Sequence, residues 1–177
     1  IAGDRIVRIA REGIDTARAE RVIDARNLVV APGFIDVHAH VEDLARRPLA
    51  ESFLRQGVTK VLYAADGGMP ASLPEAMARL EQDGHAPNMA FLVGFNTLRS
   101  QVLGSANRAP TTAELERMKA LAVRAMDAGA LGLSTGLRYV PGSYATIEEV
   151  IAVAKVVAAR GGFYISHIRD EGAGSVD

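Results

Sequence analysis

From residue 34 onward the chain alternates between two patterns. Short, almost continuously apolar runs cover 34–40, 58–64, 89–94, 131–136 and 163–167. Unbroken apolar runs of this length predict strands buried on both faces, as in a parallel sheet. Between them, apolar residues recur every three or four positions. Leu115, Met118, Leu121, Ala122 and Ala125 share one face, as do Val150, Ala154, Val157 and Ala158. That spacing predicts helices with a single buried stripe. Ser72 with Glu75, Thr111 with Glu114 and Thr146 with Glu149 have the spacing of a capping box, so helices should start there. Pro48 suits the first turn of an earlier helix. Gly57, Gly84, Gly129 and Gly161 stand where these helices should stop,.

Strands alternating with helices predict repeated βα units. A doubly wound sheet and a (β/α) barrel both satisfy the pattern. Polar residues at the C-terminal ends of several strands favour the barrel, which builds its sites there. The fold expected for 32–177 is therefore α/β, a partial (β/α)8 TIM-type barrel of about five βα units. Residues 1–31 read differently. Alternation in 4–9 and 21–25, followed by the apolar run 28–31, predicts short strands in a small β-structure preceding the barrel,.

Composition narrows the partners. The 177 residues carry 20 basic and 21 acidic side chains, a net charge of -1. Neither nucleic acid nor a membrane surface is an expected partner. No apolar run approaches the roughly 18 residues of a membrane span. Cysteine is absent, so disulfides and thiolate metal ligation are excluded; a reducing, cytoplasmic setting fits. The chain opens on Ile1 and stops at Asp177, just after a strand-like run. It reads as part of a longer protein.

His38 and His40 are one residue apart on the first strand. A period of two places both imidazoles on one face, close enough for one cation. Asp36 shares that face one step deeper, where it would orient a ligand. His167 ends the last strand and would supply a third imidazole. Arg169, Asp170 and Glu171 follow it, forming an ion-pair rim or meeting a substrate. Asp66, before Gly67-Gly68, reads from its surroundings as an ordinary turn. In the loop 132–145, Ser134, Thr135 or Tyr139 faces a substrate, or the segment is a plain βα connection. No Gly-Lys-Ser/Thr follows, so it is not a phosphate loop. His85 follows a helix stop and reads as a surface residue.

Ala31-Pro32-Gly33-Phe34-Ile35-Asp36-Val37-His38-Ala39-His40 resembles the first-strand signature of the amidohydrolase superfamily. Gly57-Val58-Thr59, the segment 129–137 with Tyr139-Val140-Pro141-Gly142, and the segment 164–171 resemble its N-acyl-D-amino-acid deacylase branch. The resemblance implies one or two divalent cations, Zn2+ by default, held by His38, His40 and His167. Asp66 takes the bridging position where the branch often has cysteine. It implies hydrolysis of a small N-acyl-D-amino acid to a carboxylic acid and a D-amino acid, with Ser134, Tyr139 and Arg169 as substrate contacts. The family's general base, an aspartate, is expected beyond residue 177.

Phe95 stands where the branch commonly has histidine, and its loss should remove a polar group near the pocket. Two rival readings remain. A cyclic-amide hydrolase of dihydroorotase or hydantoinase type would use a carboxylated lysine on strand four, and Lys60, Lys119 and Lys155 are not at that strand's end. A metal-free barrel acting as a binding or scaffold protein is the other.

Overall fold

Each of the five apolar runs forms strand. In a computed structural model, which describes residues 1–41, 46–172 and 174, the strands are β1 (Phe34–Ala39), β2 (Val58–Tyr63), β3 (Asn88–Phe91), β4 (Val93–Gly94), β5 (Gly132–Gly136) and β6 (Phe163–His167). All pairings are parallel, in the orders β1-β2-β3 and β4-β5-β6. The expected single strand over 89–94 is thus two. It breaks at Leu92, where the backbone changes partners: the Leu92 N–H donates to the Tyr63 carbonyl, and the Phe91 carbonyl accepts from Leu131. Neighbouring strands follow chain order across the break, without reversal.

The helices are α1 (Glu51–Leu54), α2 (Leu73–Asp83), α3 (Phe95–Leu103), α4 (Thr112–Asp127) and α5 (Ile147–Ala158). α3 was not legible in the periodicity. It starts directly from β4 with Gly94 as its N-cap and no side-chain cap. α1 starts later than Pro48 suggested, after Ala50 in the left-handed region. Phe91, Val93, Phe95, Leu98, Met118, Ala122, Leu133, Val153 and Val157 form one buried cluster, which packs α3, α4 and α5 on the sheet. A separate cluster of Leu62, Ala64 and Leu92, with Ala90 and Ile165 packed against it, lines the other face.

The three expected capping boxes have three outcomes. Thr111 and Glu114 form the complete box: Thr111 Oγ1 accepts from Glu114 N and Glu114 Oε2 accepts from Thr111 N at 2.7 Å. Thr146 accepts from Glu149 N, but the Glu149 carboxylate turns to Arg99 instead. Ser72 makes no side-chain cap. Arg108 also forks the Glu114 carboxylate with two contacts of 2.7 Å. The Arg108 bond and the Thr111 N–H hold that carboxyl well below its usual range. Its contribution is present above the unfolded carboxylate value of 4.5 and lost as pH falls through the folded value,. Thr111→Ala is expected to cost about 1 kcal/mol, read as a lower urea midpoint with unchanged slope.

The chain divides into two units, Ile1–Pro32 and Gly33–Asp177. Among the described residues of the first, one antiparallel bridge joins Ala2 and Arg5 and no strand forms. The strands expected over 4–9, 21–25 and 28–31 are therefore absent. Ile6, Ile9, Val22, Ile23 and Val29 are exposed. Alternation supplies strand propensity, but a strand persists only when a partner satisfies its backbone and covers its apolar face.

Candidate metal centre

β1 carries His38, and His40 follows one residue past its end. Their rings share a face, with centroids 5.7 Å apart. Both Nε2 atoms turn toward Asp66, which lies three residues past β2. His38 Nε2 is 3.2 Å from Asp66 Oδ1, and His40 Nε2 is 3.0 Å from Oδ2. One ligand atom from each of these three residues lies within 4.8 Å of the others. His167 reaches the same carboxylate from β6, its Nδ1 3.4 Å from Asp66 Oδ1. Its other nitrogen, Nε2, is 3.1 Å from Glu171 Oε1. The tight group is thus His38, His40 and Asp66, with His167 adjoining it through the shared carboxylate.

Burial pushes the Asp66 carboxyl up. The His38 hydrogen bond and the charges of His38, His40 and His167 outweigh burial, leaving the group below its ordinary value. Asp66 is therefore ionised at neutral pH. Its Oδ1 is buried and makes no well-formed hydrogen bond, although the His38 and His167 nitrogens lie 3.2 and 3.4 Å away; His167 Nε2 is buried too, with the Glu171 carboxylate as its charged neighbour. Orphaned buried acceptors are costly unless something pairs with them. Three imidazoles around one carboxylate are the nitrogen and oxygen donors that suit Zn2+. The residues fit a divalent cation.

The loop after β2 is held firmly. Gly67 N donates to Ser134 Oγ at 3.0 Å, and Ser134 Oγ in turn donates to the Ala64 carbonyl. Thr97, in the first turn of α3, donates its N–H to the Gly67 carbonyl at 3.1 Å. Its hydroxyl accepts from Met69 N at 2.9 Å and reaches the Met69 carbonyl at 3.2 Å. Gly67 has φ +79°, and a Cβ there would sit 2.3 Å from Asn96 Oδ1. A Cβ on Gly136 would sit 2.2 Å from the Asp66 carbonyl oxygen. Glycine is required at both positions because the backbones of the two loops touch.

Several expected roles change. Asp36 accepts from the backbone N–H of His38 at 3.0 Å, so this bond shapes the strand rather than orienting a ring. Ser134 is fully buried, with its hydroxyl spent on the Asp66 loop. Thr135 is also fully buried, on the opposite strand face, bonded to Tyr164 Oη and Ser166 Oγ at 2.8 Å. Phe95 is fully buried in the helix-side core, not beside the pocket. Arg169 donates to the carbonyls of Ser143 and Ala145 and so braces the loop after β5. Tyr139 does reach the site: its ring meets His167 edge-on at 4.7 Å, and its hydroxyl is 3.2 Å from Nδ1. His85 bonds the Pro87 carbonyl, away from this cluster.

Asn96 was missed. It clamps Gly136 from both sides, donating to its carbonyl at 2.9 Å and accepting its N–H at 3.0 Å. The only hint was a buried-type position occupied by a polar residue directly after a strand.

The amidohydrolase family model matches residues 21–177. The chain belongs to the amidohydrolase family. It is 38% identical to D-aminoacylase of Alcaligenes xylosoxydans xylosoxydans over 97% of this chain and 40% of that protein. A D-aminoacylase structure solved to study its binuclear metal centre matches with TM-score 0.77 at 32% identity, covering 82% of this chain and 36% of that one. N-acyl-D-glutamate deacylase of Bordetella bronchiseptica was solved with zinc and a phosphonate mimic of the tetrahedral intermediate. It matches with TM-score 0.77 at 33% identity, over 81% of this chain and 35% of that one. The α/β architecture with parallel sheets is thus shared with these amidohydrolases. The chain spans about 40% of the length of the curated relatives it matches.

Proposed function

We propose that the full-length protein is a metal-dependent hydrolase of small N-acyl-D-amino acids, releasing a carboxylic acid and a D-amino acid. The observation that carries this reading is the approach of His38, His40 and Asp66 ligand atoms to within 4.8 Å of one another, from two separate β-segments. Residues 33–177 are read as the first part of a (β/α)8 barrel. Chain-order parallel pairing supports that, as does the contact of Ser134 on β5 with Ala64 past β2. In a flat sheet these strands, two places apart, would stand about 10 Å from each other. Residues 1–31 are read as part of a small β-sandwich on the family resemblance.

His38, His40 and Asp66 would hold one divalent cation, Zn2+ by its donor preferences. Asp66 and His167 would offer a second place beside it. A bound cation here supplies a Lewis acid for the scissile carbonyl and lowers the pKa of water toward neutrality. Asp66, ionised and set between three imidazoles, provides the negative charge that binding requires. Tyr139, half-exposed beside His167, presents a hydroxyl at the mouth where a substrate oxygen would arrive. Arg169 keeps the Tyr139 loop in place through the carbonyls of Ser143 and Ala145. The general base would be an aspartate outside residues 1–177. Among the described residues no helix is long and apolar enough to cross a membrane.

The cyclic-amide reading finds little support. Lys119 and Lys155 lie on α4 and α5, and Lys60 is in mid-β2; none joins the cluster. A metal-free scaffold would not require an ionised carboxylate ringed by imidazoles. The test is hydrolysis of N-acetyl-D- and N-acetyl-L-amino acids by the zinc-loaded full-length protein. A preference for the D series of about 10²-fold is expected, from a site that positions polar groups on the substrate. A chelator should abolish turnover, and Zn2+ should restore it. Turnover of hydantoins instead, or turnover indifferent to chelation, would overturn the reading.

A further inference from the structure

We propose that the hydroxyls of Ser134 and Thr97 are positioning groups for Asp66, fixing the carboxylate that serves the candidate metal centre. The inference rests on the metal-site reading above. Asp66 sits on a loop, and loops are poor platforms for ligands unless something immobilises them. Among the described residues its carboxylate meets His38, His40 and His167, imidazoles that would themselves be ligands. The rigidity must therefore come through the backbone on either side.

Ser134 spans that backbone. A serine hydroxyl has one proton to give and two lone pairs. Here the proton goes to the Ala64 carbonyl, two residues before Asp66, while the oxygen accepts the N–H of Gly67, one residue after it. Val93 O lies at 3.5 Å as a more distant acceptor. The side chain is fully buried, so no water replaces either bond. Thr97 secures the far end of the same loop through both polar groups of Met69 and, by its N–H, the Gly67 carbonyl. The close glycine contacts of Gly67 and Gly136 leave no slack between these anchors. β5 and α3 thereby set where Asp66 points, although neither contributes a ligand.

Thr135 provides the control. It is the next residue on β5, equally buried, and its hydroxyl also makes two hydrogen bonds. Those bonds run to Tyr164 and Ser166 and not to the Asp66 loop. Thr135→Val should therefore cost stability without moving the carboxylate.

The experiment titrates full-length apo-protein with Co2+, reading affinity and the d–d absorption band, for wild type, Ser134→Ala, Thr97→Val and Thr135→Val. Changing groups that orient ligands typically lowers metal affinity by about 10–100-fold, and this range is expected for Ser134→Ala, with a shifted band. Thr97→Val, nearly isosteric, should shift in the same direction and serves if Ser134→Ala does not accumulate folded. Thr135→Val should titrate like wild type. Wild-type affinity and spectrum in the Ser134 and Thr97 variants would overturn the proposal. So would an equal loss in all three, which would mark general destabilisation. If wild type itself binds no Co2+, the metal-site reading fails first, and this inference fails with it.

Discussion

Replacing His38 by alanine in the full-length protein is expected to lower kcat/KM by about 10³-fold or more, the scale of several kcal/mol of transition-state stabilisation. The same variant should lose bound metal in parallel. Folding should not suffer. The His38 side chain is 52% exposed and belongs to no buried cluster, so little packing is lost with it. That separation makes the variant informative. Wild type should melt at a higher temperature when Zn2+ is added, because a ligand that binds only the folded state stabilises it by mass action. His38→Ala should melt like metal-free wild type and gain little from Zn2+. A variant with full metal and full activity would contradict the site.

The largest effect on stability is expected at Arg99. Its guanidinium is fully buried and donates from Nε to Glu149 Oε1 at 3.0 Å, and to the carbonyls of Ala106 and Arg108. The pair ties α3 to the first turn of α5. Glu149 is equally buried, and its Oε2 has no hydrogen-bond partner. Arg99→Met would strand a buried carboxylate, an error that costs about 3–5 kcal/mol. Burial pushes the Glu149 carboxyl above its ordinary value, with Arg99 offsetting part of that rise. Removing Arg99 lets the value climb further. For a carboxyl raised on folding, the stabilising contribution is complete below the unfolded value of 4.5 and is lost as pH rises through the folded one,. The deficit of Arg99→Met should therefore shrink as pH is lowered toward 4.5 and widen toward neutrality. Urea midpoints across that range measure it. A deficit constant with pH would mean that Glu149 is not the group responsible.

Much of the site was legible because it depends on local period and chemistry. The two-residue period fixed which face His38 and His40 share, and β6 ended at His167 as its apolar run indicated. The α/β order followed from capped amphipathic helices between apolar runs. What failed depended on contacts distant along the chain. Asp66 before two glycines is a turn by any local rule, and the family resemblance, not its local pattern, put it among the expected ligands. Only the approach of β1 and β6 makes it the centre of the cluster. Ser134 looked like a substrate contact because a polar residue at a strand end near a loop often is one. The fold instead sets its hydroxyl against the backbone on either side of Asp66. Glu149 had the spacing of a capping residue, yet a buried guanidinium on another helix claimed its carboxylate. Phe95 occupied a position associated with the pocket, and its side chain joined the core. The short alternating runs of residues 1–31 had strand propensity without partners among the described residues, and strand pairing is the one thing a local pattern does not encode.

Crystals of the zinc-loaded full-length protein, measured on both sides of the zinc absorption edge, test the central claim most directly. The account requires an anomalous peak about 2.0–2.2 Å from His38 Nε2, His40 Nε2 and an Asp66 oxygen, with any second peak between Asp66 and His167. Zinc located elsewhere, or no peak between these side chains, would contradict it.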